Sequence, residues 1–132
     1  MQRSQPADLR EAIQARLQPA LNEYARELAD ATGLAVRAGS SFNDAFILRT
    51  YVEADRADDT EVALTVDVLD RNGVVTVESC IYRDDGYILK EGPELRVSAE
   101  DELRVLASFG QWMTQLDEYL RANRQYLIDL LS

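Results

Sequence analysis

The chain has 132 residues, with 24 Asp or Glu against 14 Lys or Arg and a formal charge of −10. That length fits one domain, residues 1–132, with a core large enough to need no disulfide framework, and Cys80, the only cysteine, excludes an internal bridge. The negative field repels phosphate and anionic lipid, which argues against nucleic-acid and membrane partners and for a basic one, and the absence of histidine removes His-based triads and the usual zinc sites.

Residues 5–32 read as an amphipathic helix. Leu9, Ile13, Leu17, Leu21, Tyr24, Leu28 and Ala31 recur at spacings of three and four. Ser4 is placed to cap it and Gly33 to stop it in the left-handed conformation. Pro19 lies inside and removes a ladder hydrogen bond, so a kink or break is expected there.

From residue 34 the period changes to two. Val62, Leu64, Val66 and Val68 alternate with Glu61, Ala63, Thr65 and Asp67, and Phe46, Leu48, Thr50 and Val52 do the same with Ile47, Arg49, Tyr51 and Glu53. Strands are expected near 34–38, 45–54, 60–69, 74–83 and 87–91, with Leu95 to Val97 extending the pairing. Asn72-Gly73 is a strong hairpin signal, because a type I′ turn needs positive φ at both central residues. Asp84-Asp85-Gly86 reads as a three-residue loop, and Asp70-Arg71-Asn72-Gly73 as a turn rather than a calcium loop, since the downstream ligands are missing.

Residues 98–131 return to helix, with Ser98-Ala99-Glu100-Asp101 resembling a capping box. Leu106, Phe109, Met113, Leu116, Leu120, Leu127 and Leu130 form a seam with Asn123 as its one polar member. Val105, Trp112, Tyr119 and Tyr126 add a column at intervals of seven. Unbroken, this helix would be roughly 50 Å long and would overhang strands of roughly 25–30 Å. The overhang and the aromatic column point to a homodimer through residues 112–130. The fold class is therefore α+β: an N-terminal helix, an antiparallel meander of four to five strands, and a long C-terminal amphipathic helix.

The hairpin turns set a register. A two-residue turn at Asn72-Gly73 puts Asp67 directly opposite Glu78, with Cβ atoms about 5 Å apart. A three-residue loop at 84–86 puts Cys80 beside Lys90, which would lower the thiol pKa. For the second strand, pairing Val52 with Val62 groups Tyr51, Ala63, Tyr82 and Ile88 in one row, Arg49, Thr65, Cys80 and Lys90 in the next, and Ile47, Asp67 and Glu78 in the third. Facing carboxylates destabilise a sheet. They can hold a cation or split into acid and base, receive a basic residue of a partner, or be neutralised by Arg49 and Lys90.

No metal, cofactor or catalytic residue is assigned. The expected partner-binding residues are Asp67, Glu78, Arg49, Tyr51, Tyr82, Trp112, Tyr119 and Tyr126. The opening residues lack an apolar signal region and no apolar run exceeds four residues, so a cytoplasmic location is the default expectation. In size, acidity and a helix-flanked sheet the layout resembles small immunity proteins and secretion chaperones. The expected function is thus an acidic protein-binding module, of the immunity-protein, antitoxin or chaperone kind, that masks a basic surface. The alternatives are a small-molecule-binding or enzymatic domain using the outer carboxylates, with Tyr51 and Tyr82 lining the cleft, and a structural homodimer with no other ligand.

Overall fold

The three- and four-residue apolar spacing winds the first segment into α1 (Pro6–Thr32), which buries Leu9, Ile13, Leu17, Leu21, Tyr24 and Leu28 along one stripe. The computed structural model describes residues 6–42, 47–54, 62–83 and 87–131, so the cap expected at Ser4 and the loop expected at 84–86 lie outside the described residues. α1 continues through Pro19 without a break, and the proline is exposed. The lost ladder bond costs stability, but buried Leu17 and Leu21 on either side hold both halves to the sheet. Ala31, expected in the stripe, is exposed, and Ala25 is buried instead. Gly33 ends the helix at a φ of 73°, its N–H donating to the Ala29 carbonyl at 2.8 Å.

The period-two segment forms β1 (Val36–Phe42), β2 (Ile47–Ala54), β3 (Val62–Arg71), β4 (Val74–Arg83), β5 (Ile88–Glu91) and β6 (Leu95–Ser98). The pairing is antiparallel throughout, in the order β1-β2-β3-β4-β5, with β6 also on β4. β5 and β6 follow one another along the same edge of β4. Cys80 faces Glu91 and Val77 faces Leu95, so four residue steps on one side oppose three on the other. The extra residue makes a bulge at Gly92-Pro93-Glu94, a device that blunts a sheet edge against stray pairing.

Asn72 (φ 55°) and Gly73 (φ 75°) both adopt the left-handed conformation that a type I′ turn requires. The turn sets the expected register, Val68 opposite Val77 and Asp67 opposite Glu78. Two other pairings differ from expectation. Val52 faces Leu64 rather than Val62, a slip of two residues that keeps every side chain on its face but changes its row. Only a tight turn pins register, and the β2–β3 connection is longer. On β5 a second irregularity leaves Tyr82 opposite Ile88 but puts Ile81 opposite Lys90 and Cys80 opposite Glu91.

The last segment is two helices, α2 (Glu102–Ala122) and α3 (Arg124–Leu131). The N-cap is Asp101, whose carboxylate accepts from the Arg104 N–H at 3.3 Å, while Ser98 belongs to β6. Asn123 divides the helices. Its Nδ2 donates to the Tyr119 carbonyl at 2.8 Å, the local backbone bond by which a short polar side chain competes with helix. α2 is then about 32 Å long, close to the roughly 33 Å of a ten-residue strand, and the expected overhang disappears. Leu127 and Leu131 of α3 meet Leu28, Val52 and Leu64 around a small void at one end of the core.

Both long helices pack on the same sheet face. α1 lies over β1 and β2, and α2 over β6. Their buried side chains join Leu48, Val52, Leu64, Val66, Val77 and Ile81 in one cluster. Two long-range bonds tie the helices together, Arg16 Nη1 to the Leu106 carbonyl at 3.0 Å and the Tyr24 hydroxyl to the Leu120 carbonyl at 3.1 Å. Among the described residues no helix is long and apolar enough to cross a membrane.

Burial pushes the Tyr24 hydroxyl well above its usual value of 10.0, and pushes that of Tyr119 up to about 12. The folded state thereby favours the neutral phenols. Their contribution to stability is complete below pH 10, the unfolded value, and falls as pH rises through the folded values. Thermal midpoints followed by circular dichroism should therefore drop above about pH 10. Tyr24→Phe should be less stable than wild type at neutral pH, through loss of the Leu120 bond, with the gap narrowing on the alkaline side.

Candidate functional site

No described element packs on the opposite sheet face. Its side chains come from the alternate residues of each strand, and the observed register arranges them in rows. One row is Glu53, Ala63, Tyr82 and Ile88, the next Tyr51, Thr65, Cys80 and Glu91, and the third Arg49, Asp67 and Glu78. Along β4 the surface grades from apolar at Tyr82 to acidic at Glu78.

The slip of β2 moves Arg49 directly opposite Asp67, and its Nε meets Asp67 Oδ1 at 2.7 Å. This hydrogen bond is the main reason the guanidinium is held more firmly protonated than usual. Half of the Arg49 side chain is exposed, so the pair adds at most about 1 kcal/mol to stability. Arg37 and Glu53 make a similar pair at 3.1 Å. Glu78, opposite Asp67 on the other side, is exposed and has no ion-pair partner among the described residues. Asp67 is thus neutralised, as one reading of the sequence expected of the pair, but by Arg49 alone.

Lys90, expected to complete that neutralisation and to flank Cys80, does neither. The irregularity in β5 turns it to the helical side, where its ammonium lies 5.0 Å from the centre of the Tyr126 ring. Cys80 faces Glu91 and contacts Thr65 Oγ1 at 3.4 Å.

Over these rows lies a concavity of about 400 Å³. Its rim carries four carboxylates, Asp67, Glu78, Glu91 and Glu94, against one guanidinium, Arg49. Thr65, Cys80, Tyr82 and Ile88 supply its less polar side. Ile88 is 59% exposed, among the most exposed large apolar side chains of the molecule. Among the described residues no group of three or more Asp, Glu or Cys is placed to hold a metal ion. A second concavity of similar size lies between α1 and α2, but its acidic Glu23, Glu27 and Asp117 are balanced by Arg121 and Arg124, and Asp117 is paired with Arg121 at 3.1 Å.

Of the residues expected to bind a partner, Arg49, Asp67, Glu78 and Tyr82 come together in the outer concavity. Tyr51 does not line it and lies across Gly39, where any Cβ would come within 2.8 Å of the ring. Trp112, Tyr119 and Tyr126 are on the other side of the sheet. Trp112 is 1% exposed and stacks on Phe109 with ring centres 5.5 Å apart. Tyr119 donates to the Lys90 carbonyl at 3.2 Å. Trp112 thus belongs to the protein's own core, Tyr119 and Tyr126 are half-buried against it, and Asn123 stands between α2 and α3. Sequence reasoning missed Glu91 and Glu94. The signal was Gly92-Pro93 between them, a dipeptide that interrupts a strand and shifts the residues around it.

Glu78→Gln removes the unpaired half of a facing carboxylate pair. Because the Arg49 pair offsets part of the Asp67 charge, the variant should be more stable than wild type by up to about 0.5 kcal/mol, a rise of roughly 1–2 °C in thermal midpoint for a chain of this size. Melting curves at low and high salt check this, because the gain should shrink as salt screens the repulsion.

No protein-family model, no curated protein and no solved structure matches this chain.

Proposed function

We propose that the protein is a binding module that holds a basic segment of another protein against the outer face of its sheet. The observation that carries this is the concavity over that face, four carboxylates to one guanidinium, with the guanidinium already tied to Asp67. Acidic and apolar side chains side by side suit a Lys or Arg, whose methylene stem and charged head need both kinds of surface. Masking a basic surface is the task of an immunity protein, antitoxin or secretion chaperone, and the net charge of −10 would steer such a partner over distance.

The test is a titration of the isotope-labelled protein, read by amide chemical shifts, with a peptide of alternating Arg and Leu and with its Glu counterpart. The basic peptide should shift the amides of Glu78, Cys80 and Glu91, with affinity falling roughly tenfold between low and physiological salt. Glu78→Lys/Glu91→Lys should abolish the response. Both positions are exposed, so the fold should survive. Binding of the acidic peptide, shifts confined to the helices, or an unaffected double variant would each overturn the proposal. The concavity also falls within the size range of small-molecule sites, which supports a second reading, a free cationic ligand. Spermidine binding as tightly as the peptide would favour it.

A further inference from the structure

We infer that the concavity is a subsite for a single cationic side chain, read together with an apolar residue two positions away in an extended segment. The inference rests on the binding reading above and names what that site recognises.

The rows provide the geometry. Same-face residues along a strand are about 6.7 Å apart, and an extended peptide advances about 3.3 Å per residue. Residues two apart in a peptide lying along β4 therefore fall on neighbouring rows. Tyr82 and Ile88 form an apolar row, and Cys80 and Glu91 the next. Glu78 lies one step further along β4, unpaired among the described residues and directly across from Asp67. A basic residue over Cys80 has its stem on Thr65 and Cys80 and its head between Glu91 and Glu78. Its apolar neighbour two positions away covers Ile88, which is 59% exposed.

Asp67 is not the primary acceptor, because Arg49 occupies it at 2.7 Å. Arg49 instead pairs with one of the facing carboxylates and leaves the other for the ligand. The arriving cation gives Glu78 the counter-charge that Arg49 already gives Asp67.

The experiment uses the full chain and acetyl-Leu-Gly-Arg-Gly amide, with citrulline in place of Arg as a neutral isostere and Gly in place of Leu as a truncated control. Two readouts are followed at millimolar peptide: amide shifts, and the rate at which neutral iodoacetamide alkylates Cys80, the only cysteine and a partly buried residue of the concavity. The Arg peptide should shift Glu78, Cys80 and Glu91 and slow alkylation. The citrulline peptide should bind roughly tenfold more weakly. Glu78→Gln/Glu91→Gln should erase that difference, and Ile88→Ser should erase the difference between the Leu and Gly peptides. The peptide comparison leaves the protein unchanged, so misfolding cannot imitate the result. Equal binding of Arg and citrulline peptides, or a preference that survives Glu78→Gln/Glu91→Gln, overturns the subsite. If the longer basic peptide still binds in a salt-sensitive way, the binding face stands and the subsite alone falls. If neither peptide binds, both fall.

Discussion

Trp112→Ala is expected to lower stability by about 3–5 kcal/mol, the largest effect foreseen for any single substitution considered. Trp112 is 1% exposed and stacks on Phe109, itself fully buried. Truncation removes a large apolar area and leaves a cavity between α2 and the sheet that rigid strands cannot close. Domains of this class are stable by only about 5–15 kcal/mol in total, so the variant should lose a large share of its margin. Denaturant titration checks the size of the loss. A dimer anchored by Trp112 would instead show a concentration-dependent loss, and a midpoint independent of protein concentration identifies the tryptophan as intramolecular core.

Gly92→Ala is expected to cost about 1–3 kcal/mol through overpacking. A Cβ there would overlap Ser79 Oγ and come within 3.1 Å of the Tyr119 ring. Neither neighbour moves freely. Ser79 is 7% exposed and donates to the Pro93 carbonyl at 2.9 Å, so turning it away breaks a bond that closes the bulge. Tyr119 is held by its bond to the Lys90 carbonyl. Gly92 also donates its N–H to the Ser79 carbonyl at 2.9 Å. Because this bulge sets where Glu91 and Glu94 stand, the variant should weaken binding of the basic peptide as well as stability. Thermal melting and the peptide titration, run on the same sample, measure both. Full stability would show that the bulge relaxes around an added methyl group.

The sequence by itself determined the fold class and which face of each strand is buried. Apolar residues at helical spacing and at period two are direct consequences of which side of an element is buried, and β4 appears within its expected bounds, 74–83. It also determined the β3–β4 register, because Asn72-Gly73 permits one turn geometry and that turn permits one pairing. The placement of Asp67 opposite Glu78 could be read from this alone.

Tertiary structure decided what no local signal encodes. The two-residue slip of β2, which delivers Arg49 to Asp67, is invisible to a pattern of period two, since both registers bury the same side chains. The irregularity in β5 exchanged Lys90 for Glu91 beside Cys80 and changed the sign of the charge there. Which helical column faces inward was equally open, because an amphipathic stripe shows its width but not its partner. Packing α1 and α2 together on one face buried Trp112 of the aromatic column and left the other face without a covering element among those described. Side-chain periodicity is local and survives any register, whereas a site on a sheet is made of cross-strand neighbours, which only the assembled pairing specifies.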